Sequence, residues 1–162
     1  NDGDKEYATG LFGKGDFVGY MALLKNTEQP DSAIALEESV VYRIHKDDFT
    51  KLIYTNKEVA KTFINILSGN LIEKEQELIN LAYNSVRKRV ADSLLLLQRK
   101  YNDDHAKNFS ISLLRDDLAS IVGTSTESAI RVISDFKEEG FIEVHGGKIT
   151  IIDSEGLTHL HQ

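Results

Sequence analysis

The sequence predicts an α+β fold built in three parts: a β-rich module, one long helix and a winged helix-turn-helix domain. Three observations predict it. Glycines and β-branched runs alternate before residue 45, an apolar helical period runs over residues 57–82, and two shorter helical patterns meet at Gly123 ahead of a Gly146-Gly147 hairpin signal. The expected boundaries are 1–55, 56–83 and 84–162.

Gly10, Gly13, Gly15-Asp16 and Gly19 punctuate the first module, and Val40-Val41-Tyr42-Arg43-Ile44 has the composition of a strand. Asp47-Asp48 mark a helix start before Phe49, Leu52 and Ile53, and Thr55-Asn56 a break. Residues 57–82 hold no proline. Val59, Phe63, Ile66, Leu67, Leu71, Leu78 and Leu81 recur there, with the polar Asn70, in steps of three, four and seven. That is the period of an amphipathic helix about 40 Å long. A helix of such length needs a partner along its surface, and a second copy in a parallel dimer supplies one. Val59, Phe63, Ile66 and Asn70 form the expected dimer face; packing on the β-module alone is the alternative. A further helix is expected from the caps Asn84-Ser85 through Val90, Leu94, Leu95 and Leu97 to about Tyr101, then a loop at Asn102-Asp103-Asp104-His105.

In the last third, Leu118, Ala119 and Val122 point inward on a short helix, and Ala129, Ile130, Val132, Ile133 and Phe136 on a second one. The small side chain of Ala119 lets two helix backbones cross closely, and Gly123 takes the positive φ of a tight corner. Residues 141–152 alternate apolar and polar around Gly146-Gly147, two wing strands joined by a two-residue turn. A three-helix core with a wing implies double-stranded DNA as partner. A winged helix that binds protein instead is the alternative.

Composition is compatible with this once it is divided along the chain. The total is acidic, 26 Asp and Glu against 19 Lys and Arg for a net charge of −7, but residues 84–152 carry 10 of each sign. A local basic patch binds phosphate on an acidic chain. The absence of cysteine removes disulfides, thiolate metal sites and thiol nucleophiles. His45, His105, His145, His159 and His161 are scattered, and no hydrolase, metalloprotease or phosphate-loop pattern is present. Neither catalysis nor a metal site is expected, and no run is long enough to span a membrane.

The N-terminal end of the second helix of such a motif enters the major groove. Arginine there donates to guanine O6 and N7, and glutamate accepts from cytosine N4. Glu127 and Arg131 are four apart and share a face. Structural roles compete: Thr124-Ser125-Thr126-Glu127 fits a capping box, and Glu127 with Arg131 an ordinary ion pair. Ser112, Ser125 and Lys148 are phosphate candidates. Arg87, Lys88 and Arg89 open a helix where positive charge opposes the macrodipole, which suits phosphate contact or an ion pair with the long helix.

Together these residues resemble the superfamily of the cyclic-AMP receptor protein and the fumarate-nitrate reduction regulator, over essentially the whole chain. From Gly15-Asp16-Phe17-Val18-Gly19 onward the first module resembles the second half of a cyclic-nucleotide-binding β-roll, and Val122-Gly123-Thr124-Ser125-Thr126-Glu127-Ser128-Ala129-Ile130-Arg131 resembles the reading motif. The resemblance implies that Glu127 and Arg131 read bases, with Thr126 standing where the cyclic-AMP receptor has arginine. It also implies a bacterial, cytoplasmic transcription regulator that binds inverted repeats as a homodimer, with RNA polymerase as a partner. The family's nucleotide cassette uses a Gly-Glu pair and an Arg-Ser/Thr-Ala run; here stand Gly19-Tyr20 and Asp31-Ser32-Ala33. Tyrosine supplies no carboxylate and aspartate repels phosphate, so cyclic AMP is not expected to bind, no cofactor is expected and the effector stays open. The chain starts at Asn1 in mid-roll, and its only methionine, Met21, lies inside the pattern, as in a piece of a longer protein.

Overall fold

The computed structural model describes residues 8–102 and 109–160. In chain order the elements are α1 (Tyr20–Lys25), α2 (Lys46–Thr55), α3 (Lys57–Tyr83), α4 (Val86–Tyr101), β1 (Ser110–Ser112), α5 (Arg115–Val122), α6 (Thr126–Glu138), β2 (Ile142–His145), β3 (Lys148–Ile151) and α7 (Ser154–Thr158). They divide into two compact units, Phe17–Leu78 and the described residues of Asn1–Asp16 with Ile79–Gln162. The loop expected at Asp103-Asp104-His105 lies outside the described residues.

In the first of these units, Asn56 separates α2 from α3 as its position in the sequence suggests. Its N–H donates to Leu52 O at 3.0 Å, while its Oδ1 accepts from the N–H groups of Glu58 and Val59 at 3.1 and 3.2 Å, so one residue closes one helix and opens the next. The core gathers on Phe63, whose ring meets the edges or faces of Phe17, Tyr20 and Phe49 at centroid distances of 6.0, 5.5 and 5.2 Å. Residues 10–45, expected to be β-rich, contain the helix α1 and no strand among the described residues. Residues 40–44 are exposed and form no ladder. β propensity needs a neighbouring strand to act on, and the described residues of this unit provide none.

The second unit is a three-helix core closed by a sheet of order β1-β3-β2, antiparallel throughout. Ser85 caps α4 by accepting from Lys88 N–H, and Val90, Ala91, Leu94 and Leu97 line the buried face of that helix at steps of one, three and three. They pack with Leu118 and Val122 of α5, Val132, Ile133 and Phe136 of α6, and Ile142, Ile149 and Ile151 of the sheet. Gly146, at φ 61°, makes the two-residue wing turn. Strand β1 and helix α7 add to the two wing strands expected; Asp153 caps α7 by accepting from Gly156 N–H at 2.8 Å. Residues 8–16 also group here rather than with residues 17–55. Leu11 packs on the core, and Tyr101 Oη donates to Phe12 O at 2.9 Å.

Candidate nucleic-acid interface

The corner between α5 and α6 is fixed by Gly123 in the left-handed region, φ 69°, with the N–H groups of Gly123 and Thr124 both donating to Ala119 O. Ala119 itself is buried, which allows the close crossing. The cap of α6 is Ser125: its Oγ accepts from Ser128 N–H at 3.3 Å and donates to Ser128 Oγ at 3.0 Å. Glu127 is therefore the second helical residue, one short of the place a capping-box glutamate would hold. Among the described residues neither Glu127 nor Arg131 makes a side-chain hydrogen bond or ion pair, and both are exposed. The capping and ion-pair alternatives are thus both unrealised.

Ile130, expected inward, is 44% exposed. The helix buries Ala129, Val132, Ile133 and Phe136, and Ile130 falls on the opposite stripe with Glu127, Arg131 and Ser134. Thr126, next to this stripe, is half-buried, and its Oγ1 donates to Asp116 Oδ1 on α5 at 2.7 Å. Asp116 is the partner that sequence reading missed. Its spacing of ten from Thr126 has no helical meaning until the corner folds.

Ser112 and Lys148 are brought together, as register partners across β1 and β3, and His145 stands opposite Lys148 on β2. All three are exposed. The basic run behaves otherwise. Arg87 Nη2 lies 2.5 Å from Glu139 Oε2, its Nη1 3.9 Å from Asp135 Oδ2, and its guanidinium 4.7 Å above the Phe136 ring. Lys88 Nζ meets Asp92 at 2.9 Å and donates to Thr158 O at 3.4 Å. Arg89 is half-buried, with its Nε buried and unbonded. The expected partner of Arg87 is the long helix or phosphate; the structure gives it Glu139, which caps the C-terminal end of α6, and Asp135 on α6 instead, because α4 crosses that end of α6.

The dimer face named from the sequence also needs correction. Phe63 is only 6% exposed, Val59 and Ile66 are half-buried beside it around an apolar cavity, and Asn70 Nδ2 donates to Tyr20 Oη at 2.7 Å. These four form the stripe of α3 that packs on its own unit. A neighbouring stripe lies open: Ile64, Leu71 and Leu78 are 60%, 62% and 67% exposed, and the half-buried Leu67 and exposed Leu81 fall between and after them at steps of three and four. Lys74 occupies the remaining place in that heptad.

Of the cassette residues, Gly19 caps α1, Tyr20 is held by Asn70 and Phe63, and Asp31, Ser32 and Ala33 lie exposed in the segment after α1. Among the described residues no helix is long and apolar enough to cross a membrane.

The chain is similar to known proteins. Residues 88–160 match the Crp-like helix-turn-helix domain, and residues 1–56 the cyclic nucleotide-binding domain. The chain is 30% identical to the cyclic AMP receptor protein of Thermus thermophilus, over 98% of this chain and 71% of that protein. It is 26% identical to the transcriptional activator protein FnrA of Stutzerimonas stutzeri, over 98% of this chain and 66% of that one. A solved CRP/FNR-family transcriptional regulator of Thermus thermophilus superposes with a TM-score of 0.59 at 29% identity, covering 64% of this chain and 54% of that one. The chain thus spans about two thirds of its curated relatives and about half of that solved structure. It belongs to the CRP/FNR family of transcription regulators, and the corner between α5 and α6 lies in its Crp-like helix-turn-helix domain.

Proposed function

We propose that the protein reads inverted-repeat DNA as a homodimer and regulates transcription without responding to cyclic AMP. The observation that carries this reading is the open stripe of α6, where Glu127 and Arg131 keep their hydrogen-bonding groups available among the described residues. Arg131 suits the O6 and N7 of guanine, Glu127 the N4 of cytosine, and Ile130 the methyl group of thymine. Ser112 and Lys148 contact phosphate and set the register. The heptad of Ile64, Leu67, Leu71, Leu78 and Leu81 supports a two-fold pairing of α3. Two copies of α6 then meet half-sites about 34–36 Å apart. In the cytoplasm, bound DNA places the dimer beside RNA polymerase.

Unresponsiveness to cyclic AMP rests on two positions. The Tyr20 hydroxyl is bonded to Asn70, and Asp31 brings negative charge where the cyclic phosphate needs positive charge. Calorimetry checks this: no heat of cyclic AMP binding is expected, and micromolar affinity contradicts it. A gel shift checks the main reading. Retention of an inverted repeat well above a single half-site is expected; no retention of any duplex favours a protein-binding winged helix.

A further inference from the structure

Thr126 Oγ1 carries one hydrogen, and the structure directs it at Asp116 Oδ1, 2.7 Å away. A carboxylate oxygen has no hydrogen to return, so the hydroxyl keeps only lone pairs for any other partner. The bond spans the helix-turn-helix corner, from the first turn of α5 to the first residue of α6. It holds the hydroxyl at the end of the recognition helix that enters the groove.

We propose that Asp116 is a positioning residue that makes Thr126 an acceptor-only reader of the base pair beside the one read by Glu127 and Arg131. The proposal rests on the DNA-reading role of α6 given above. In the major groove the donors are the amino groups of adenine N6 and cytosine N4, whereas guanine O6 and thymine O4 are acceptors. An acceptor-only hydroxyl therefore distinguishes an amino base from a keto base on the strand it faces. A free threonine hydroxyl, able to donate or accept, makes no such distinction. The carboxylate on α5 thus sets a specificity that no contact of its own with DNA reveals.

Selection from random duplex DNA with the intact wild-type protein and the variants Asp116→Asn, Thr126→Val and Thr126→Ser tests this. The asparagine amide can donate to Thr126 Oγ1 and release its hydrogen toward the groove. Wild type is expected to prefer adenine or cytosine by about tenfold at one pair in each half-site. Thr126→Val and Asp116→Asn should both lose that preference at the same pair, while Thr126→Ser keeps it. Thermal melting confirms that Asp116→Asn remains folded. A uniform rise or fall in affinity for Asp116→Asn, with base preference intact, overturns the proposal and leaves Asp116 a structural brace. A wild-type preference for guanine or thymine at the pair that Thr126→Val relaxes overturns it too, as does a Thr126→Val variant with unchanged preference at every pair. Wild type that enriches no inverted repeat removes the parent reading, and this assignment with it.

Discussion

Lys148 stands directly across the sheet from Ser112, thirty-six residues earlier in the chain, so the start of β3 and the end of β1 present an ammonium and a hydroxyl side by side. Neighbouring positions across antiparallel strands lie within about 5.5 Å, close enough for both to serve one phosphate. Lys148→Ala is expected to weaken binding to all DNA sequences alike and to lower the slope of log affinity against log salt by about one. A change confined to one base pair, measured by titrations at several salt concentrations, contradicts a phosphate role.

Arg87 predicts the opposite behaviour. Its guanidinium is held by Glu139 and lies over Phe136, so Arg87→Ala should lower stability by on the order of 1 kcal/mol through the lost ion pair and cation–π contact. The salt slope of DNA binding should stay where it is. Urea titration and the same salt series distinguish the two residues.

The two stripes of α3 separate folding from assembly. Leu71→Glu places a charge on the open stripe and should yield folded monomers, because a buried, unpaired carboxylate is excluded from a two-fold seam; their melting temperature should fall only by what association contributes and should not depend on protein concentration. Phe63→Ala should instead cost about 3–5 kcal/mol of stability in its own unit, whatever the oligomeric state. Light scattering with thermal melting reads both. A Leu71→Glu protein that remains dimeric contradicts the seam.

Gly123 offers a check on the corner itself. At φ 69° a β-branched side chain is strained, so Gly123→Val should destabilise the winged-helix unit by more than the roughly 1–2 kcal/mol of an ordinary left-handed residue. DNA affinity should fall with it.

Local signals were legible wherever one element explains them. The α5 and α6 helices, the Gly123 corner, the wing turn and the Ser85 cap follow from residue types within one or two turns of each other. Which stripe of α3 faces inward was not legible, because Phe63 and Leu71 are equally apolar and only the rings of Phe17, Tyr20 and Phe49 decide between them. The exchange of Arg87 toward Glu139 and of Thr126 toward Asp116 depends on how helices cross, and helix spacing in the chain carries no trace of it. Ile130 is exposed for a related reason that its apolar character hides: one helical step of 100° separates it from the buried Ala129. Residues 40–44 show the limit of propensity, since a strand is a relation between two segments.

The central claim is that α6 reads bases through Arg131. Selection from random DNA with wild type and Arg131→Ala, followed by affinity measurement on the enriched sites, tests it most directly. Wild type should enrich two inverted half-sites one helical turn apart, each with a G·C pair that Arg131→Ala no longer selects, at a cost of about 1–3 kcal/mol per half-site. The same half-site returned by Arg131→Ala at undiminished stringency contradicts the account.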